Sequence, residues 1–257
     1  MTLSAIPPFA IVGSIAVLLP LLLVVMQPTV IRTTLAAKKS RGPLTRWQDR
    51  VQDRFSRSGT FAYMFAWYKM RLDAMFSDLP ELLKLVPPPR VGIDLGCGYG
   101  VAANTLLEWC DGLTIYGIDP DPVRVPAAAA AIGSRGTALL AGAPDFEVAG
   151  LPDRVDTIFC LDMIHFLTNE QLAVTFERLH RRLIGGGYFF LRSLVLPTGR
   201  GSLLWNVQVL NRKWFGGVAH HRSPEVIQAM LTVAGFSVVR SQPSTGNAEL
   251  HWFIAKA

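Results

Sequence analysis

A glycine-rich turn, residues 96–100, is the segment of this sequence whose residue types and spacing most clearly suggest chemistry. It follows the short apolar run 91–95, which contains Asp94. Because glycine has no side chain, a strand that feeds such a turn into a helix lets the backbone approach a ligand closely. Asp119 ends the next apolar run, where a carboxylate can accept hydrogen bonds from both hydroxyls of a ribose. The spacing therefore predicts a ribose-containing ligand at this turn.

The elements that must position these residues alternate between strand-like and helix-like segments. Five strands are predicted over 91–95, 113–118, 138–141, 155–161 and 188–195, with helices over 101–110, 123–132 and 170–183. Such alternation is typical of a mainly parallel sheet covered by helices on both faces. Ser223 and Pro224 predict the start of a last helix, and two further strands are predicted over 236–241 and 249–255.

Four segments resemble the successive motifs of class I S-adenosylmethionine-dependent methyltransferases. They are VGIDLGCGYG (91–100), YGIDPDP (116–122), RVDTIFCLDMIHFL (154–167) and RRLIGGGYFFL (181–191). The resemblance covers 90–257. It implies an α/β, Rossmann-like fold with a seven-stranded sheet that is mostly parallel and ends in a reversed C-terminal hairpin. It also implies an enzyme with S-adenosyl-L-methionine as its cofactor.

The resemblance further implies which residues bind the cofactor. Asp94 and the backbone of 96–100 would hold its methionine end, and Asp119 its ribose. The full implied set is Asp94, Gly96, Cys97, Gly98, Gly100, Asp119, Pro120, Asp145, Leu161 and Asp162. Near the adenine the sequence departs from the family pattern, since Ala143 stands where the family often has an aspartate and Asp145 follows two residues later.

Three histidines are the candidate catalytic residues. Methyl transfer from a sulfonium needs a protein base only when the acceptor is a poorly acidic hydroxyl. His165 follows the fourth strand, and His220 and His221 lie just ahead of the last helix, after an insertion at 201–215. The alternatives are a structural or cofactor-contacting role for His165 and a solvated loop for the other two. Two adjacent histidines without a third ligand nearby do not predict a metal site.

The first 31 residues carry no charged side chain, and 9–26 are apolar apart from Gly13, Ser14 and Pro20. This length is close to the ~20 residues that span a bilayer, so we expect a transmembrane anchor over 1–31. A segment lying in one leaflet is the alternative. A cleaved signal peptide is disfavoured because the basic n-region and the cleavage site are missing.

Basic residues cluster directly after this apolar segment. Residues 32–90 carry 12 Lys or Arg against 5 Asp or Glu, whereas 91–257 carry 13 against 14. Because no basic residue precedes the apolar run, the positive-inside rule predicts a single-pass membrane protein with a cytoplasmic catalytic domain. A polybasic stretch beside a membrane predicts anionic lipid as its partner, and nucleic acid is not expected.

Residues 32–89 predict a helical juxtamembrane segment ahead of the domain 90–257. One helix starts near Trp47 and ends at Ser58-Gly59, and a second, aromatic-rich helix is predicted over 61–86. Its aromatic side chains could pack on the domain or form a cap over a lipophilic substrate. The anchor and the cap favour a lipophilic or carrier-bound acceptor, such as an aromatic, polyene or isoprenoid compound.

Two other functions are compatible with parts of the sequence. Residues 98–103 also satisfy the pattern G-x-G-x-x-A, which is typical of an NAD(P)-dependent oxidoreductase. A non-catalytic membrane scaffold that keeps the methyltransferase fold is the second alternative, because a fold does not guarantee an activity.

Overall fold

The computed structural model describes residues 46–197, 199, 201, 205–206 and 219–257, and Thr45–Ala257 forms one compact unit. The helices are α1 (Trp47–Arg54), α2 (Thr60–Leu72), α3 (Met75–Leu83), α4 (Val101–Trp109), α5 (Arg124–Ile132), α6 (Asn169–Arg182) and α7 (Pro224–Val233). The strands are β1 (Val91–Leu95), β2 (Thr114–Asp119), β3 (Gly136–Leu140), β4 (Val155–Leu161), β5 (Leu183–Leu194), β6 (Ser237–Ser244) and β7 (Asn247–Lys256).

The strands form one sheet in the order β3-β2-β1-β4-β5-β7-β6. The five strands from β3 to β5 are parallel, while β7 runs antiparallel to both β5 and β6. This confirms the predicted seven-stranded Rossmann-like sheet with a reversed C-terminal hairpin. The strand order changes direction between β1 and β4, and ligands of open α/β sheets bind at the carboxyl ends of the strands beside such a point.

Hydrophobic cores lie on both faces of the sheet. Successive residues of one strand enter different cores, as Ile158 and Phe159 of β4 and Phe189 and Phe190 of β5 show. This follows from the two-residue period of a strand, which turns neighbouring side chains to opposite faces. One core contains residues of α1 to α5 and the other contains residues of α6 and α7.

The segment ahead of β1 belongs to the first of these cores. Val51 of α1, Met70 of α2 and Leu79 of α3 are buried together with residues of the sheet. The predicted first helix is confirmed, but the single helix predicted over 61–86 is wrong. Asp73 interrupts it with an extended backbone, and its Oδ1 accepts a hydrogen bond from the first N–H of α3, that of Met75, at 2.9 Å.

The predicted membrane span over 9–26 lies outside the described residues. Within the part of the chain that the structure describes, no helix combines the length and the apolar character needed to cross a membrane. The anchor therefore stays a prediction from the sequence.

Candidate active site

A cavity of about 390 Å³ lies between α2 and the carboxyl ends of β1 and β4. Phe61, Phe65 and Lys69 of α2 form one wall, and the turn after β1 forms another. Six of the predicted cofactor residues line the cavity: Asp94, Gly96, Cys97, Gly98, Leu161 and Asp162. The structure thus brings together predicted residues from two separate motifs.

The glycine turn exposes its backbone to this cavity. Gly96, Gly98 and Gly100 have φ angles of 80°, 55° and 77°, a region that glycine adopts without strain. A Cβ atom on Gly98 would meet no atom within 4 Å, so the space in front of this residue is open to a ligand. A Cβ on Gly100 would lie 3.0 Å from the Cβ of Ala128, so this glycine serves the packing of α4 against α5.

Asp94 is the most unusual charged group in the cavity. Its side chain is 1% exposed, and its Oδ2 has no hydrogen-bond partner among the described residues. Burial, together with the negative charge of Asp119, raises the pKa of Asp94 to about 7. A buried carboxylate oxygen without a donor is costly, and a ligand that supplies a cationic donor removes that cost. The ammonium group of S-adenosylmethionine is such a donor, so this position fits the methionine end of the cofactor.

Asp119 lies at the end of β2, as predicted, where its carboxylate supports the glycine turn. Its Oδ2 accepts a hydrogen bond from the N–H of Gly98 at 2.8 Å, and its Oδ1 accepts one from the N–H of Asp121 at 3.0 Å. Each oxygen keeps a further lone pair for a ribose hydroxyl. Asp121 itself lines the cavity, and the sequence reasoning missed it although a second acid in an Asp-Pro-Asp run was an available signal. Pro120 lies beside Gly142, where an added Cβ would be 3.0 Å from it.

An ionic network of Lys69, Asp73, Asp162 and Arg192 lies on the β4–β5 side of the cavity, and Arg192 is its buried member. Arg192 is 1% exposed and donates to the two oxygens of Asp73 at 2.7 and 2.8 Å, and from Nε to Oδ1 of Asp162 at 2.8 Å. The Nζ atom of Lys69 lies 2.5 Å from Oδ2 of Asp73 and 3.5 Å from Oδ2 of Asp162.

Electrostatics within this network keep Asp73, Asp162 and Arg192 charged. Burial disfavours the charged forms, but the attraction and the hydrogen bonds to Arg192 outweigh it and hold the pKa of Asp73 and of Asp162 below their ordinary values. The same carboxylates raise the pKa of Arg192 against the effect of its burial. Only Asp162 was predicted from the sequence, although an arginine inside the apolar strand YFFLRSL (188–194) indicates a paired buried charge.

The three candidate bases lie close together, but none of them lines the cavity described above. His165 is 5% exposed, and its ring centroid lies 5.9 Å from that of His221. The backbone N–H of His220 donates to the carbonyl oxygen of His165 at 2.8 Å. Buried Arg222 fixes this arrangement by donating to the carbonyl oxygens of Leu167 at 2.7 Å and His220 at 2.9 Å. Arg222 is a positioning group that the sequence reasoning did not identify.

The predicted insertion 201–215 begins beside these histidines. The ring centroid of Trp205 lies 4.6 Å from that of His221, and the structure describes only residues 201, 205 and 206 of the insertion. Among the described residues, no group of three or more His, Cys, Asp or Glu side chains could hold a metal ion.

Comparison with known proteins identifies the type of domain that carries the cavity. Residues 93–191, from β1 into β5, match a family model described as a methyltransferase domain. Residues 93–191 are thus similar to a methyltransferase domain. This finding confirms the predicted class, an S-adenosylmethionine-dependent methyltransferase, and the predicted cofactor. No curated protein sequence gives a significant match to the chain.

Solved structures agree with this fold assignment. Human N-acetylserotonin methyltransferase in complex with S-adenosylmethionine superposes with a TM-score of 0.58 at 18% identity, over 80% of this chain and 56% of that protein. An S-adenosylmethionine-dependent methyltransferase from Mesorhizobium loti gives 0.56 at 20% identity, over 72% and 99%. The N-methyltransferase NodS from Bradyrhizobium japonicum, in complex with S-adenosyl-L-homocysteine, gives 0.55 at 16% identity, over 82% and 97%. The chain thus spans little more than half of the human enzyme.

Within the matched segment 93–191, Asp145 differs in its exposure from the predicted cofactor residues that line the cavity. Its side chain is 82% exposed and forms an ion pair with Arg178 at 2.7 Å. It is not among the residues that line the cavity. The adenine contact predicted for Asp145 therefore stays a prediction.

Proposed function

We propose that this chain transfers a methyl group from S-adenosylmethionine to a lipophilic or membrane-associated small molecule, at a membrane that its N-terminal segment anchors it to. The observation that carries methyl transfer is Asp94, a buried carboxylate whose Oδ2 faces no donor among the described residues and which lines a cavity beside an open glycine turn.

The residues of the cavity can bind the cofactor, orient it and exclude water. S-adenosylmethionine supplies a methyl group on a positively charged sulfur, which is open to in-line displacement. Asp94 would accept hydrogen bonds from the ammonium group, and the backbone at Gly98 would leave room for close approach of the cofactor. Phe61 and Phe65 cover the other side, with ring centroids 5.6 and 5.4 Å from that of Tyr99 in the glycine turn. Such a cover fixes the geometry of the reactants and keeps water away from them.

The histidine cluster is the proposed proton acceptor if the acceptor atom belongs to a hydroxyl. His165 and His221 are held side by side at the beginning of the insertion, where an acceptor pocket would be built. The human structural neighbour is named for a small-molecule acceptor, N-acetylserotonin, which supports a small-molecule acceptor in this fold.

Helix α2 supports the lipophilic character of the proposed acceptor. Phe61, Tyr68 and Leu72 are 59%, 57% and 66% exposed, so packing on the domain does not account for the exposed surface of these apolar side chains. Packing on the domain, the alternative interpretation, accounts for Tyr63 and Phe65, which contact the core. The uncharged segment 1–31 and the basic residues after it support a location at an anionic membrane surface.

Ligand binding tests the methyl-transfer part of the proposal. In calorimetry on the full chain, S-adenosylhomocysteine is expected to bind and NAD to give no heat of binding. Binding of NAD alone would support an oxidoreductase instead. A protein that binds neither compound would be a scaffold that keeps the fold.

Vesicle sedimentation tests the membrane part. The full chain is expected to sediment with both neutral and anionic phospholipid vesicles. A variant without residues 1–31 is expected to sediment with anionic vesicles only and to be released in 1 M salt, where charges are screened within ~3 Å. A full chain that stays in the supernatant with both kinds of vesicle would refute the anchor.

A further inference from the structure

The end of helix α2 is tied to the sheet by the ionic network, on the β4–β5 side of the cavity that the glycine turn also lines. Asp73 directly follows α2, and Arg192 lies near the end of β5. Both lie outside the matched methyltransferase segment 93–191. The network therefore joins the helical segment ahead of the domain to the last parallel strand.

We propose that Asp73 and Arg192 are positioning residues for methyl transfer, which hold α2 over the cofactor cavity and keep Lys69 and Asp162 at its wall. This inference rests on the function proposed above.

The geometry of the pair supports a positioning role. Arg192 is 1% exposed and contacts Asp73 through two parallel hydrogen bonds, an arrangement that fixes direction as well as distance. If α2 moved away, Arg192 would lose one of its two carboxylates while still buried, which is strongly unfavourable. The docked position of α2 is thus favoured by the charge pairing itself.

The helix is held at both of its ends. Near its start, Phe61 and Phe65 pack on Tyr99 of the glycine turn. Beyond its end, Asp73 binds Arg192. Lys69 lies between these two attachments and lines the cavity, 3.5 Å from Asp162, which lines it too. Loss of the attachment at Asp73 would therefore loosen the wall that faces the cofactor.

Asp73→Asn is the variant that tests this inference, because asparagine keeps an oxygen for the N–H of Met75 but removes the charge. Asp49→Asn is the matched control, since Asp49 of α1 pairs with Arg71 of α2 at 3.2 Å and does not line the cavity. Amide hydrogen exchange over 60–72 in the ligand-free protein and calorimetry with S-adenosylhomocysteine are the two measurements.

In Asp73→Asn we expect exchange over 60–72 to be at least about fivefold faster and S-adenosylhomocysteine to bind about tenfold more weakly, because the charge-assisted pair is lost. The control is expected to stay within about twofold of the wild type in both measurements, because an isolated, partly exposed ion pair contributes little. Arg192→Lys keeps the positive charge but cannot form two parallel hydrogen bonds. Its exchange rate and affinity are expected to lie between those of Asp73→Asn and of the control.

Unchanged exchange and affinity in Asp73→Asn would overturn the inference, as would a lower melting temperature with unchanged affinity. If this variant does not fold, Lys69→Gln replaces it, since the Lys69 side chain is 27% exposed. Lys69→Gln is expected to show the same changes at a smaller size, and wild-type values would overturn the inference. A wild-type protein that does not bind S-adenosylhomocysteine would refute the proposed function, whereas exchange in the ligand-free variants would still decide the role of the network.

Discussion

On the β1 side of the cavity, Asp94 has an oxygen with no partner among the described residues and a pKa raised to about 7. On the β4–β5 side, Asp73 and Asp162 share Arg192, and their pKa values are lowered. Of these three carboxylates, Asp94 alone has an oxygen that no donor among the described residues reaches, whereas both oxygens of Asp73 and of Asp162 accept from Arg192. The difference teaches that a buried carboxylate without hydrogen-bond donors indicates a ligand site. A carboxylate whose donors are present instead connects two elements of the fold.

The largest effect on the β1 side is expected from Gly98→Val. A valine at φ 55° is strained, and its side chain would fill the open space in front of the turn. We expect calorimetry to show that S-adenosylhomocysteine binds more than about 100-fold more weakly, because the ligand and the side chain compete for the same volume.

Gly133→Val is the matched control for this variant. Gly133 has φ 64°, its added Cβ would also meet no atom within 4 Å, and it does not line the cavity. It also places a branched residue at a positive φ but does not line the cavity, so the affinity of the folded variant should be unchanged. A folded Gly98→Val protein that binds normally would contradict the assignment of this space to the cofactor.

Asp94→Asn is expected to weaken ligand binding while it raises the stability of the ligand-free protein. Affinity for S-adenosylhomocysteine should fall roughly 10- to 100-fold, because hydrogen bonds to a charged group contribute about 1.5–3 kcal/mol. At pH 8 the melting temperature of the ligand-free variant should rise, since the wild type must keep an unpaired carboxylate ionised in a buried position.

Asp78→Asn is the contrasting variant, because Asp78 accepts hydrogen bonds from Thr245 and from the indole of Trp252 at 3.0 Å. It should lower the melting temperature and leave affinity unchanged. If Asp94→Asn behaved in the same way, Asp94 would be a structural acid and the contrast between the two sides would fail.

The raised pKa of Asp94 also predicts how pH acts on the wild type. The folded, ligand-free protein binds this proton up to about pH 7, whereas the unfolded chain loses it near the ordinary value of 3.8. The contribution of Asp94 to the free energy of unfolding is therefore fully present below about pH 4 and declines as pH rises to 7.

Binding should show the opposite trend with pH. A cationic ligand group lowers the pKa of Asp94, so binding releases a proton and affinity should weaken by up to about tenfold per unit as pH falls below 7. Calorimetry in two buffers of different ionisation heat measures this proton release, and Asp94→Asn should abolish it. A pH-independent affinity of the wild type would rule out ionised Asp94 as the group that binds the ligand's ammonium.

A feature of this fold could be predicted from the sequence when the residues that determine it are close together in the chain. Strand β4 was predicted with its observed bounds, 155–161, because an apolar run between turns defines it. Asp94 was predicted because it lies two residues from the glycine turn. The break at Asp73 was not, since its partner Arg192 lies 119 residues away and no local pattern indicates the pair. The bounds of β5 were also missed, because residues 183–187, with their three glycines, pair with the sheet through an irregular register.

A smaller effect is expected where carboxylates are already bonded but keep free lone pairs. Asp119→Ala should weaken S-adenosylhomocysteine binding by about tenfold, through loss of the ribose acceptor and of the support for the N–H of Gly98. Asp121→Ala should weaken it by about threefold, because its carboxylate already accepts from the N–H of Val123 and pairs with Arg124. The reverse order in calorimetry would move the ribose contact from Asp119 to Asp121.

The smallest effect is expected at Asp145, whose carboxylate is paired with Arg178 and 82% exposed. An exposed ion pair contributes little to stability, so Asp145→Ala should change the melting temperature by no more than about one degree. The affinity for S-adenosylhomocysteine should stay within about twofold of the wild type. Arg178→Ala sharpens the test, because it frees Asp145 without removing it. If Asp145 can reach the adenine, freeing it should strengthen binding, and Asp145→Ala should cancel that gain. Stronger binding by Arg178→Ala would therefore show that a carboxylate paired at the surface can also bind the cofactor. The distinction between the unpaired Asp94 and the paired Asp73 would then no longer separate ligand-binding carboxylates from structural ones.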